Sequence, residues 1–238
     1  MRIDGRENEQ LRKIEIQLDY LDYPAGSCLF KLGKTVVLCA VTIENRVPPF
    51  LVGKGQGWLT AEYSLLPAST KERTQREANT GRLTGRTQEI RRFIGRALRP
   101  VFDLSVVGER TFIIDCDVLQ ADGGTRTAAV NGAFLALYSA VKKLWINKEF
   151  SQFPILDFVG AISAGIVQGE ILLDLCYEED SNAEVDMNLV MTGREKIIEF
   201  GATAEKIPMT KKELDRLLEV AKAGIKKIIE LEKKVISG

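Results

Sequence analysis

The chain has 238 residues, 45% of them hydrophobic, which is enough for a sizeable core. It contains no histidine, which excludes Ser-His-Asp and Cys-His catalysis, a histidine base and histidine metal ligands. Its 33 basic and 33 acidic residues cancel, no apolar run approaches a membrane span, and the charged start Met1-Arg2-Ile3-Asp4-Gly5-Arg6 lacks a signal-peptide stretch, so a cytoplasmic protein without membrane contact is expected.

Cys28, Cys39, Cys116 and Cys176 stand singly in apolar, strand-like runs and are expected as buried free thiols. Residues 27–32 and 35–43 are rich in β-formers with Gly33 between them, which predicts a hairpin. Residues 46–57, with Pro48-Pro49 and three glycines, read as a loop, and 58–66 as a strand. Residues 67–84 are polar without apolar periodicity and are expected to form a loop. Over 86–101, Ile90, Phe93, Ile94, Ala97, Leu98 and Val101 recur at helical spacing, with Arg92, Arg96 and Arg99 opposite. Arg86 falls in the first turn, where the helix dipole disfavours a cation unless an anion is bound.

Residues 111–119 alternate as a strand, with Asp115 and Asp117 on one face and Ile114, Cys116 and Val118 on the other. The helix after Gly124 carries Ala128, Ala129, Gly132, Ala133 and Ala136, small residues that imply close packing. Strands are predicted over 161–168, 170–177 and 185–191, with an acidic loop at 178–184. The last helix, 211–235, opens on a Thr210/Glu213 capping box and buries Leu214, Leu217, Leu218, Ala221, Ile225, Ile228 and Ile229. With neither repeat nor linker, the pattern predicts one α+β domain over 1–238, of mixed β-sheets and packed helices.

Three features carry candidate chemistry. The first is Asp122-Gly123-Gly124-Thr125-Arg126-Thr127, a strand-to-helix turn whose glycines admit a close ligand and whose helix start offers free N–H groups to an anion. The second is the basic stretch 71–99, with nine cations against three acids, which includes Arg73, Arg76 and Arg86. The third is the carboxylate pair Asp180 and Asp186, which could hold Mg²⁺ through oxygen. Each has a plainer reading: a tight turn with a threonine N-cap, a solvated charged face, or Asp180 capping a turn while Asp186 pairs with an arginine.

Several stretches together resemble the RNase PH family of phosphorolytic exoribonucleases. They are Asp4-Gly5-Arg6, Gly57-Trp58-Leu59-Thr60-Ala61-Glu62-Tyr63, Gly85-Arg86-Thr87-Gln88-Glu89-Ile90, residues 115–127, Leu173-Asp174-Leu175, Glu179-Asp180-Ser181 and Asp186-Met187-Asn188. The resemblance spans nearly the whole chain with the motifs in family order. It implies a fold like the second domain of a small-subunit ribosomal protein and a homohexameric ring, a trimer of dimers. It also implies trimming of the 3′ ends of tRNA precursors, with inorganic phosphate as co-substrate and nucleoside diphosphates as products. Arg86, Gly124, Thr125 and Arg126 match the family's phosphate-binding residues, Asp180 and Asp186 its metal and catalytic carboxylates, and Arg73 and Arg76 its RNA contacts. The chain departs from the family at Ala68, where an arginine is usual, and at Gly201-Ala202-Thr203-Ala204-Glu205, where a local backbone adjustment is expected.

These residue types suit phosphorolysis. Phosphate is a nucleophile that needs no histidine base, and the difficulty is bringing one anion to another, which guanidinium groups and a cation relieve. Two other readings stand beside it: a non-catalytic RNA-binding subunit of a ring, and a small-molecule phosphotransferase.

Overall fold

In the computed structural model, which describes residues 2–237, backbone pairing gathers nine strands of the described chain into two sheets. The first holds β1 (Ile14–Leu18), β2 (Gly26–Leu32), β3 (Thr35–Glu44), β4 (Trp58–Leu65) and β5 (Thr111–Gln120), in the order β1-β2-β3-β5-β4. Neighbours are antiparallel except β4 and β5, which are parallel and therefore need a crossover. That crossover carries α1 (Glu77–Thr80) and α2 (Gly85–Leu98). The second sheet is antiparallel, with β6 (Val159–Val167), β7 (Glu170–Leu173), β8 (Val185–Thr192) and β9 (Ile197–Ala204) in the order β7-β6-β8-β9. Helix α3 (Thr125–Ile146) links the sheets, α4 (Tyr177–Asn182) follows β7, and α5 (Lys211–Ser237) ends the described chain. The fold is α+β.

Helix α3 lies between the sheets and is apolar nearly all round, as a doubly covered helix must be. Its small residues serve the close approach read from the sequence: a Cβ on Gly132 would stand 2.8 Å from Cys39 Sγ of β3. Toward the second sheet, Asn131 Nδ2 donates to Ala161 O at 3.0 Å and its Oδ1 accepts from Ala161 N at 2.8 Å. This satisfies the β6 edge where β7, which pairs only from Ala164 to Val167, does not reach. Helix α5 covers the other face of that sheet, where a Cβ on Gly160 would stand 2.8 Å from Ile225. One buried cluster runs from Phe30 through Phe134 to Leu189 and Ile225.

The hairpin, the strands at 58 and 111, the long helices, the Thr210/Glu213 box and the four buried thiols stand as the sequence reads them. Other expectations need correction. Residues 177–182 form a helix, not a loop: Glu178, Glu179 and Asp180 fill its first turn, where the dipole favours carboxylates, and Glu179 closes a capping box with Cys176. The strand from 170 stops at Leu173, because Asp174 turns left-handed (φ 56°) and buries its carboxylate. The 67–84 segment contains the single helical turn α1.

The edge strands β1 and β9 escaped the sequence reading. No residue of β9 is fully buried, and its pairing comes from the backbone of β8, not from an apolar pattern. The β8–β9 ladder is regular from Val185↔Ala204 to Val190↔Glu199, so the adjustment expected at Gly201-Ala202 is absent. The register shift lies at Val190–Met191 instead.

Glu232 on α5 is wholly buried, and among the described residues neither carboxylate oxygen has a hydrogen-bond partner. Burial holds its carboxyl well above the usual range against a weaker pull from Lys233. The unfolded chain loses this proton at ordinary carboxylate pH and the folded protein only far above it, so stability drains away as pH rises between those values. Glu232→Leu is expected to raise stability by about 1–3 kcal/mol near neutrality and by less below the ordinary carboxylate range. Urea unfolding checks this, and an unchanged or lowered midpoint contradicts it. Because the buried cluster crosses both sheets, the same experiment is expected to show one cooperative transition.

Candidate active site

Two helix N-termini open onto one cavity. At α2, Thr84 Oγ1 accepts from Thr87 N at 3.2 Å, and Thr87 Oγ1 donates to Glu77 at 2.7 Å. This capped start places Arg86 in the first turn with its side chain exposed. At α3 the turn is built by Gly123 and Gly124, both at positive φ (73° and 65°). A Cβ on Gly123 would stand 2.5 Å from Leu175 O. Thr35 Oγ1 donates to Gly123 O at 2.7 Å and accepts from Asp122 N at 2.9 Å. Gly124, not a threonine, is the N-cap, and no side chain caps this end, so the positive pole of α3 is left to an anion. Thr125 is buried and accepts from Tyr63 OH at 2.9 Å, which leaves its own hydroxyl proton to donate.

A cavity of about 660 Å³ is lined by Arg86, Arg126, Glu89, Asp180, Asp186 and Asn188, among others. Gly124 and Thr125 adjoin it through Arg126 without lining it. Arg126 Nη1 lies 3.3 Å from Glu89 Oε1, and Asn188 Nδ2 donates to both oxygens of Asp186 at 3.5 and 3.3 Å. Among the described residues, neither Asp180 nor Asp186 makes an ion pair within 4.0 Å. Among the described residues Asp186 therefore pairs with no arginine, and the turn is a tight strand-to-helix connection whose N-cap is a glycine.

The electrostatics follow from this crowding. Burial raises the Asp180 carboxyl, although its side chain is open to the cavity, and the charges of Arg86, Arg126 and Arg12 oppose the rise. Asp186 is pushed up to about 6, first by burial and then by the charge of Asp180, against Arg126 and the Asn188 hydrogen bond. Two carboxylates that disfavour each other's ionisation suit a shared cation. Among the described residues no group of three or more His, Cys, Asp or Glu side chains is placed to hold a metal ion.

Arg86 also lines a second cavity, of about 910 Å³. Its wall includes Arg76 and the sheet carboxylates Glu62, Asp115 and Asp117. Arg73 is exposed and lines neither cavity. Much of the basic stretch is engaged within the fold. Lys71 pairs with Glu178 at 3.0 Å, Arg91 with Glu62 and Arg96 with Glu199, while Arg99 lies 4.8 Å over the Trp58 ring. The sequence reading missed Arg12, Thr35, Glu89 and Asn188 as supports of the site. Of these only Glu89 and Asn188 fall inside quoted motifs; Arg12 and Thr35 carry no local signal.

Residues 10–143 match the first domain, and residues 157–224 the second, of the 3′ exoribonuclease family, and the chain belongs to it. Ribonuclease PH of Bacillus pumilus is 54% identical over 236 residues, covering 99% of this chain and 98% of that protein. Ribonuclease PH of Syntrophomonas wolfei is 54% identical over 235 residues, with coverage of 99% and 98%. Among solved structures, an Archaeoglobus fulgidus exosome with RNA bound to its active site superposes with a TM-score of 0.81 at 23% identity, over 96% of this chain and 91% of that one. Rice Rrp46 gives 0.79 at 21%, over 98% and 99%. These two bear on the fold alone. The resemblance read from the motifs holds.

The raised carboxyl of Asp186 has a measurable consequence. The unfolded chain loses this proton near 3.8 and the folded protein near 6, so stability falls as pH rises between them. Without metal, Asp186→Asn is expected to raise the melting temperature above about pH 6 and to leave it unchanged below about pH 4. Thermal melts in chelator at both extremes check this; an equal shift at both contradicts the assignment.

Proposed function

We infer that orthophosphate and the 3′ end of an RNA meet in the cavity between Arg86, Arg126, Asp180 and Asp186. The chain is a phosphate-dependent 3′–5′ exoribonuclease and nucleotidyltransferase acting on tRNA precursors, and it releases nucleoside diphosphates. The carrying observation is two guanidinium groups and two unpaired carboxylates on one cavity wall. In this reading Arg86 and Arg126 neutralise the attacking phosphate. The Thr125 hydroxyl and the free N–H groups beyond Gly124 orient it. An oxygen of phosphate attacks the terminal phosphodiester phosphorus while the bond to the preceding 3′ oxygen breaks, so the phosphate leaves as the β-phosphate of the released nucleotide.

Asp180 and Asp186 would hold Mg²⁺, whose charge offsets that of the scissile phosphate and the departing oxygen. Asn188 keeps Asp186 turned toward the cavity. Arg76, and Arg73 beside it in sequence, would carry the RNA backbone through phosphate contacts, with affinity that falls as salt rises. The proposal extends to a cytoplasmic homohexamer, a trimer of dimers. No helix among the described residues is long and apolar enough to cross a membrane. A non-catalytic ring subunit would be expected to lack part of this set, and a phosphotransferase reading gives the RNA-facing arginines no task.

RNA with a 3′ hydroxyl is expected to yield nucleoside diphosphates with phosphate present and no product without it; monophosphate release without phosphate contradicts the reading. Asp186→Asn is expected to lower turnover on the order of a hundredfold or more while RNA binding persists. The rate should fall as pH drops and Asp186 takes up its proton, with a midpoint below the metal-free value of about 6 because bound Mg²⁺ favours the carboxylate. Arg126→Lys, which loses the planar fork, is expected to raise the phosphate KM about tenfold.

A further inference from the structure

Outside the cavity, the N-terminal arm (residues 2–12) is bonded by buried arginines to the connection between β7 and α4. Asp174 is fully buried at a left-handed backbone position. Its carboxylate accepts from Arg12 N at 2.8 Å, Nε at 3.0 Å and Nη2 at 2.6 Å. The other side of the same guanidinium reaches the phosphate-side turn, where Nη1 donates to Asp122 O and Nη2 to Gly123 O at 3.4 Å. Arg2 grips Glu179 with Nε to Oε1 at 2.8 Å and Nη2 to Oε2 at 2.6 Å, and also donates to Leu173 O and Asp174 O. Glu179 accepts from Cys176 N at 3.0 Å and immediately precedes Asp180. Arg6 joins both carboxylates, with Nη1 3.5 Å from Asp174 Oδ2 and Nη2 3.6 Å from Glu179 Oε2, and it also donates to the Asp174 carbonyl at 3.0 Å. None of these five side chains lines the cavity.

We propose that Arg12 with Asp174, and Arg2 with Glu179, are positioning residues for the reaction: the first pair sets the phosphate-side turn, the second sets the helix that carries Asp180, and the arm holds the two at a fixed separation. The inference rests on the reading of the cavity given above. Three physical observations carry it. A buried ion pair is a weak source of stability, since desolvation offsets most of its attraction, so its geometry is the larger effect. Arg12 is the bridging group, because one planar fork binds a carboxylate and two carbonyls from separate stretches of chain. Among the described residues no hydrogen bond or ion pair joins the turn directly to α4, and a Cβ on Gly123 would stand 2.5 Å from Leu175 O and 2.8 Å from Tyr177 N.

Calorimetry of the full-length protein with orthophosphate and with Mg²⁺, each without RNA, separates the two pairs. Arg12→Lys keeps the charge and loses the fork; it is expected to weaken orthophosphate binding about tenfold and to leave Mg²⁺ within about twofold. Glu179→Gln is expected to do the reverse. Equal weakening of both ligands by both variants, with faster amide exchange throughout both sheets, marks a merely structural role and overturns the proposal, as does no change in either.

A measurement on the unaltered protein serves where a variant does not fold. Orthophosphate is expected to slow amide exchange at Arg12 and Leu175 as well as at 124–126, and protection confined to the turn overturns the proposal. If the unaltered protein binds no orthophosphate, the reading of the cavity falls. The coupling is then read by whether Arg12→Lys, or Arg12→Gln if Lys does not fold, speeds ligand-free exchange selectively in both 122–126 and 177–182.

Discussion

The structure depends on how closely α3 is pressed between two sheets. Gly132 and its alanine neighbours let the helix approach β2 and β3 at a distance that any larger side chain would prevent. Asn131 then fixes β6 to the same helix by two hydrogen bonds. With α3 immobilised on both sides, its N-terminus has one position. That position brings Arg126 into the cavity that Asp186 and Asn188 of β8 also line. Large-to-small changes elsewhere in the core would leave cavities, but a small-to-large change here would separate the two sheets and with them the two halves of the site.

The cavity is a place where the fold tolerates charge it does not neutralise. Asp180 and Asp186 face each other's repulsion without an ion pair, and the positive pole of α3 has no side-chain cap. Several other charges are paired within the chain: Arg91 with Glu62, Arg96 with Glu199, and Arg12 with Asp174. The contrast gives the site its chemical meaning. Groups that ordinarily find partners within a protein are held apart here, so a doubly charged anion and a cation can complete them. The preorganisation is electrostatic, set before any ligand arrives.

Many elements were legible in the sequence because their patterns are local. Helical spacing of Ile90, Phe93, Ile94 and Ala97 gave α2, and the Thr210/Glu213 pair gave the start of α5. The cavity residues were legible as types in motifs: Arg86 at a helix start, Gly123-Gly124 before Thr125-Arg126, and two aspartates flanking a short connection. A charge count carries no geometry. The basic stretch 71–99 reads equally as a polyanion-binding surface or a solvated charged face, and the structure engages Lys71, Arg91, Arg96 and Arg99 with acidic or aromatic side chains of the chain itself. The acidic run after Cys176 reads as a loop because its helix is short and stabilised by a single capping box.

By itself the sequence determined the reaction's vocabulary: no histidine, an anion-accepting turn, arginines and aspartates in family order. Periodicity and capping are properties of neighbouring residues, so these needed no third dimension. The tertiary structure decided which of those groups meet. Residues 126 and 186 line one cavity only because two sheets close on one helix, and Arg12 supports a turn more than a hundred residues away. Edge strand β9 owes its existence to a partner's unpaired backbone. Contacts of that separation leave no periodic trace, because the chain between them is free to vary while the packing that joins its ends is not.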